Sequence, residues 1–586
     1  MTQPFVSRKG ILETEEFRRI LALPRQEMSD EAAKDLALSL TKVLKRAQGT
    51  MTLRPIQARA LHAIGVHGGL FAPMRVGGGK TLVSLLAPYI FEAQRPILLL
   101  PAKLIEKTRR EQRDLSQHWL IPENVRFLSY QMLGTNNGSK ILDQYKPDLL
   151  VCDEVQKIKN RKAAVTRRVA RYMKEFPETK FVALSGTVMK DSIRDFAHII
   201  EWALKLGAPV PRHAHEVDEW ADALDDKLEN PFKRLHPGPL LKFALPEDLA
   251  HGEVTAARRG FRRRLISTPG VVATQNEQVD CKLHIRAIEY EVNAQTEANF
   301  EKLRDEWRTP DDWDLSMATD VWRVANELSA GLHYVWSPRP PIEWRMARSA
   351  WHKYVREVLA RSRTLDSELQ VRMAVARGDR PDGTVFLREW EKQQPTFKIN
   401  SVPVWHDSVV LDLCARWLKE SPGIVWTNHS FFAHALAERA GVAYFGAQGK
   451  DRKGREIDDV RHVNPSTDPG GVVASIPANG EGRNLQIWNR NLITTPPPGA
   501  LIWEQLLGRT HRDGQKAEEV TVDVLIGCKE HLSAWYSALS GAQAAFDTTG
   551  LSQKLLVADE SGFPDEDDVL ERTGWRWGVQ EKSEAK

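Results

Sequence analysis

Three short apolar runs, each closing on small or acidic residues, constrain the fold of this chain most: PILLLP (96–101), DLLVCDE (148–154) and KFVALSG (180–186). Apolar runs of this length without polar alternation read as strands buried on both faces, the pattern of a parallel sheet covered by helices. The stretches between them, such as AKLIEKTRREQRDL, have helical spacing. Residues from about 50 to 205 therefore read as a βαβ domain, and in such domains the chemistry gathers at the C-terminal ends of the strands. A second set of runs follows: GIVWTN (423–428), VAYFG (442–446), GVVAS (471–475), NLITT (491–495) and VTVDVLI (520–526). The expected fold is α/β, with two parallel-sheet lobes, helical insertions between them and a small N-terminal helical extension.

The expected divisions are an extension over 1–49, a first lobe over 50–280, a crossing and Trp-rich helical insertion over 281–400, a second lobe over 401–545, and a tail over 546–586. A length of 586 residues fits several folding units rather than one core. In the extension, Leu36, Leu40, Val43 and Leu44 share a helical face. Eight of the 18 tryptophans fall between Trp307 and Trp405. Trp322, Leu328 and Leu332 fit one helical face there, so core packing is one reading. A nucleic-acid stacking platform with neighbouring arginines is the other.

Hydrophobic content of 42% and no apolar stretch near the ~20 residues needed to span a bilayer argue against a membrane protein. The first residues lack the apolar core of a secretion signal, so the chain is expected to begin near Met1. Four separated cysteines, Cys152, Cys281, Cys414 and Cys528, offer neither a CxxC metal pattern nor a disulfide framework, and point to a reducing cytoplasm. His213 and His215 lack acidic or thiol partners and read as surface residues. A net charge of +4 permits nucleic-acid binding without requiring it.

The segment MRVGGGKTL (74–82) opens a helical stretch with three glycines. Gly77, Gly78 and Gly79 let backbone N–H groups curl around phosphate oxygens. Lys80 then reaches the β- and γ-phosphates, and the Thr81 hydroxyl can hold Mg²⁺. The full phosphate-loop pattern wants Gly at position 74, where this chain has Met. VCDEVQ (151–156) ends an apolar strand in two acids, with Asp153 suited to organise Mg²⁺ and Glu154 to polarise an attacking water. LSGT (184–187) ends the next strand with small hydroxyl residues. Together the three segments imply an ATP site.

With these motifs in place, the chain resembles the superfamily-two helicases, and among them the Swi/Snf-like DNA translocases of compact bacterial or phage type. LRPIQ (53–57) resembles the adenine-reading segment, which makes Gln57 the base reader. DEVQKIKN (153–160) resembles the family's acid-box stretch, with Gln156 where His is usual. LPAK (100–103) is similar to its first strand-tracking motif, and GEGRNLQ (480–486) to its glycine-rich element. QLLGRTHRDGQ (505–515) matches the Q-x-x-x-R-x-H-R-x-G-Q signature closely. FRRRLISTPGVVA (261–273) and the strand and helix over 281–307 resemble the passage between lobes. Val188 stands where Pro usually follows Gly-Thr.

The resemblance implies two RecA-like lobes and DNA-stimulated ATP hydrolysis. Arg509 and Arg512 would bring positive charge to the γ-phosphate, with Arg512 the stronger finger candidate and Gln505 beside it. Cofactors are then ATP and Mg²⁺, and the partner is double-stranded DNA, with other nucleic acids possible. The basic runs Lys157–Arg168 and Arg258–Arg264 would grip phosphates or form solvated helix faces. Two alternatives stay open: a strand-separating helicase on DNA or RNA, and a nucleotide-switched binding module with little turnover.

Overall fold

The computed structural model describes residues 10–564 except 75–77, 136, 187–191, 226–232, 275–280, 314, 316–317, 363–364, 366, 447–448, 459–469, 481, 513 and 551. Gly77, Thr187, Val188, Glu481 and Asp513 of the sequence motifs therefore lie outside the described residues. The chain forms two compact units. The first comprises Met1–Glu277, Leu359–Gln370 and Gly541–Ser552; the second comprises Gln278–Val358, Val371–Ser540 and Gln553–Lys586.

The first unit is built on five strands: β1 (Leu70–Pro73), β2 (Pro96–Leu100), β3 (Arg126–Ser129), β4 (Leu149–Asp153) and β5 (Lys180–Ser185). They form one parallel sheet in the order β1-β5-β4-β2-β3. The apolar runs show no polar alternation because both faces are covered. Phe71, Ile97, Leu99, Leu150, Cys152 and Phe181 pack into one core, and Leu70, Leu98, Leu100, Val151 and Val182 into the other.

The segment before residue 50 belongs to these cores. Helix α1 (Glu15–Ala22) starts at Thr14, whose hydroxyl accepts the Phe17 N–H, and places Phe17 and Ile20 in the first core. Helix α2 (Asp30–Leu44) buries Ala33, Ala37, Thr41 and Leu44, with Leu36 and Leu40 partly covered. Val43 is 64% exposed, so the expected face of that helix is rotated. The small residues Ala33 and Ala37 make the close approach, and the Thr41 hydroxyl joins it by accepting the Leu53 N–H at 2.9 Å.

Several arginines of the two basic runs turn inward, whereas Arg161 and Lys162 of the first run are exposed. Arg168 is buried and donates to the carbonyls of Leu133 (2.6 Å) and Thr135, while Arg167 donates to Leu359 O and Leu365 O. In the helix Glu253–Ile266, Arg258 is buried against Leu224 O and Arg264 against Leu23 O and Pro24 O. Arg263 pairs with Asp248, Arg259 with Asp547, and Arg262 lies over the Phe546 ring. These arginines tie segments together instead of facing solvent, because free carbonyls at helix ends and turns require donors.

The second unit holds a seven-stranded sheet. Its strands are β6 (Lys282–Glu289), β9 (Ile424–Thr427), β10 (Ala443–Phe445), β11 (Val472–Ser475), β12 (Arg490–Ile493), β13 (Glu519–Ile526) and β14 (Asp559–Ser561). All pairs are parallel, in the order β10-β11-β9-β12-β13-β6-β14. A separate antiparallel pair joins β7 (Leu332–Trp336) to β8 (Ser401–Trp405). The five runs expected as strands over 423–526 all appear in the large sheet, so the α/β class with parallel sheets holds.

The helix Ala318–Ser329 ends before Leu332, which lies in β7. Its packed face is Val321, Val324, Ala325 and Leu328, and Trp322 is half-buried. The chain leaves the helix at Gly331, whose φ of 80° favours glycine and whose added Cβ would meet the Asp407 carbonyl at 2.6 Å. Among the described residues no helix is long and apolar enough to cross a membrane, and no group of three or more His, Cys, Asp or Glu side chains is set to hold a metal ion. His213 and His215 are exposed, with rings stacked at 5.8 Å. The four cysteines are free thiols.

Candidate functional site

In the first unit the order β1-β5-β4, with all strands parallel, puts the C-terminal ends of three motif-bearing strands side by side. Met74 follows β1, and its N–H donates to Ser185 O at 2.9 Å. Gly78 is buried, and Gly79 takes φ 76° and ψ 29° as the residue before helix α4 (Lys80–Ile90). A Cβ on Gly79 would lie 2.1 Å from Gln57 Nε2, so the position admits only glycine without displacing that side chain.

Gln57 lies in helix α3 (Pro55–His67). Its Oε1 accepts the Arg54 N–H (2.9 Å) and its Nε2 donates to Gly79 O (3.2 Å). The expected base reader thus also braces the glycine turn. Lys80 is buried, and its Nζ donates to Met74 O at 3.1 Å. Thr81, the second residue of α4, is half-buried.

Asp153 ends β4 and is buried. Burial, and next the Glu154 charge, push its carboxyl up to about 7 against the pull of Lys80. A cation beside this carboxyl would favour its charged form; its oxygens could ligate a metal ion, while the Lys80 ammonium could pair only with an anion. Carboxylate oxygens fit a magnesium ion, and the ammonium fits the phosphate chain such an ion would accompany. Glu154 turns the backbone away from the strand in a left-handed conformation, φ 55° and ψ 51°, and its N–H donates to Asp153 Oδ1 at 3.1 Å.

From Glu154 a short relay runs to the neighbouring strand. Gln156 Nε2 donates to Glu154 Oε2 at 2.7 Å, and Ser185 Oγ donates to Gln156 Oε1 at 2.6 Å. Both Gln156 and Ser185 are buried. Tyr130 OH donates to Asp153 O at 2.8 Å from the far side, and burial raises its own pKa well above the usual phenol range. Motif reading placed Gln156 and Ser185 in the site's segments without linking them to each other, and it did not identify Tyr130. The available signal was the hydroxyl closing β5 beside a glutamine two residues after the acid.

The second unit gathers its own motif residues. Gln505 lies near the end of the helix Ala500–Leu507 and is buried. Arg509 is buried just beyond it, donating to Gln505 O (2.6 Å) and Arg483 O (3.1 Å), while its own carbonyl accepts the Leu485 N–H. Arg512 is half-buried and donates to Asn484 Oδ1 and to Arg483 O. Arg483 pairs with Glu456 at 2.6 Å and Asp458 at 2.8 Å, and Asp458 also accepts the Asn484 N–H. Residues 483–485 and 505–512 therefore form one hydrogen-bonded assembly, with Arg509 at its centre and Arg512 nearer its surface.

Compared with known proteins, the chain matches no family model and no curated sequence.

Proposed function

We propose that this chain is an ATP hydrolase that works as a motor on double-stranded DNA, with its two parallel-sheet units acting as RecA-like lobes. The observation that carries the proposal is the gathering of buried Lys80, after β1, with the Asp153–Glu154 pair at the end of β4 on either side of β5, with Glu154 held through Gln156 by Ser185 of β5. Lys80 and the backbone of Gly77–Gly79 hold the phosphates. Asp153 and Thr81 would hold Mg²⁺, which neutralises phosphate charge when bound.

Glu154 offers one oxygen to Gln156 and takes the proton of the attacking water on the other. Gln57, which donates to Gly79 O, would read the adenine base. Arg512, with Arg509 and Gln505 supporting its segment, supplies the positive charge that phosphoryl transfer requires. The free thiols suit work in a reducing cytoplasm.

The test is ATP turnover measured side by side with duplex DNA, single-stranded DNA and RNA. Duplex DNA should stimulate most, and Lys80→Ala should remove both nucleotide affinity and turnover. Absence of turnover under every condition would overturn the hydrolase; stimulation by RNA alone would overturn the duplex-DNA motor.

A further inference from the structure

The helical insertion of the second unit carries a row of indoles and guanidinium groups that hydrolysis does not use. Trp313 and Trp336 are half-buried and meet edge to face at 6.1 Å; Trp336 meets Trp344 in the same manner at 6.1 Å. Trp344 is buried against Trp390 at 5.5 Å and so anchors the row. Arg345 lies 4.4 Å from the centre of the Trp313 ring, and Arg348 lies 5.6 Å from Trp344 and 6.0 Å from Trp336.

Arg339 also approaches Trp313, but it is already matched by Asp311, whose carboxylate is 3.7 Å away. Among the described residues no carboxylate lies within ion-pair distance of Arg345 or Arg348. The imbalance extends along the segment. Residues 336–358 hold five Lys and Arg against two Glu, whereas the whole chain holds 82 against 78.

We propose that Arg345 and Arg348, held on the indoles of Trp313, Trp336 and Trp344, form a contact site for the phosphate backbone of nucleic acid. The proposal rests on the DNA reading above for the identity of its ligand. A guanidinium lying on a ring keeps its in-plane N–H groups for a second partner, and it gives up less hydration than an ammonium would. The indoles fix both cations before the ligand arrives, which lowers the ordering cost of binding. The two arginines stand three residues apart on the helix Ile342–Arg361, so their side chains leave one face about 5–6 Å apart. Two fixed cations at that spacing, with no acid between them, complement a closely spaced ladder of phosphates. Such a contact reads no sequence; it positions the polymer.

The test uses the full chain without nucleotide and follows binding of labelled duplex and single-stranded DNA by anisotropy across a salt series. Arg345→Gln with Arg348→Gln should weaken both ligands by about 10- to 100-fold at low salt. The slope of log affinity against log salt should fall by about 2 on duplex, because each lost phosphate contact removes about 0.9. Arg345→Lys with Arg348→Lys should keep most of that slope, which separates charge loss from misfolding. A glutamine pair with wild-type slope, or a lysine pair that loses as much slope as the glutamine pair, would overturn this site while leaving the motor reading standing. A wild-type chain that binds neither DNA would overturn both.

Discussion

Arg264→Ala should unfasten helix α1 from the first unit. The Arg264 side chain is 1% exposed and donates to Leu23 O at 2.9 Å, to Pro24 O at 2.6 Å and to Thr268 Oγ1 at 3.1 Å. Hydrogen bonds from a charged donor contribute about 1.5–3 kcal/mol each. The Thr268 hydroxyl keeps its own bond to Arg264 O in the variant, so the loss falls mainly on the two carbonyls at 23 and 24. Two such bonds, less what water entering the vacated space restores, give a destabilisation of about 3–5 kcal/mol. Arg264→Lys keeps the charge but not the fork of donors, and should recover less than half. Limited proteolysis would read the effect directly, because the segment between α1 and α2 should become an early cleavage point while the sheet resists. DNA binding supplies the counter-test. If Arg264→Ala instead lowered DNA affinity and its salt slope with unchanged proteolysis and melting, Arg264 would be gripping phosphate and the strut assignment would be refuted.

Glu154→Gln should still bind ATP while turnover drops by roughly 10²–10⁴-fold, the usual cost of losing a general base; wild-type turnover would remove Glu154 from the role. Arg512→Ala should keep nucleotide binding and lose hydrolysis by about 10³–10⁵-fold with an unchanged melting profile. Arg509→Ala should lose turnover and also melt earlier, because the buried Arg509 side chain holds the 483 and 505 carbonyls; equal melting of the two variants would contradict that division. Acid should weaken the second unit through His531, whose pKa burial lowers to about 4. The unfolded chain then takes up a proton that the fold excludes, so stability is lost as pH falls from about 6.5 to 4, by up to about 3 kcal/mol. His531→Gln should flatten that limb of the melting-temperature profile, and an unchanged acid limb would rule His531 out.

Much of the architecture was legible because parallel strands buried on both faces leave continuous apolar runs, and those runs mark β2, β4, β5 and the centre of the second sheet. The pair β7–β8 was not. Leu332 continues the helical spacing of the preceding segment, and only Ala330 and the left-handed Gly331 separate helix from strand, with a partner strand almost seventy residues away. The inward-turning arginines of the basic runs were not legible for a related reason. An arginine that answers free carbonyls and one that faces solvent look identical in sequence, and the acceptors at 23, 24 and 224 come from distant segments. At the candidate site, Lys80, Asp153 and Glu154 are legible from spacing within short motifs. The Gln156–Ser185 link is not, since it depends on β5 lying between β1 and β4.

Glu154 also sets a limit on how this protein can be improved. Its left-handed backbone costs a side-chain-bearing residue about 1–2 kcal/mol, a burden that glycine at the same position would not carry. A library selected for heat resistance alone should therefore take Glu154→Gly only together with a change at Gln156, whose buried amide would otherwise lose its acceptor, and deliver sturdier variants without the proposed general base. A library selected for turnover would hold the glutamate and seek its compensation elsewhere, so position 154 would show which pressure a given lineage had experienced.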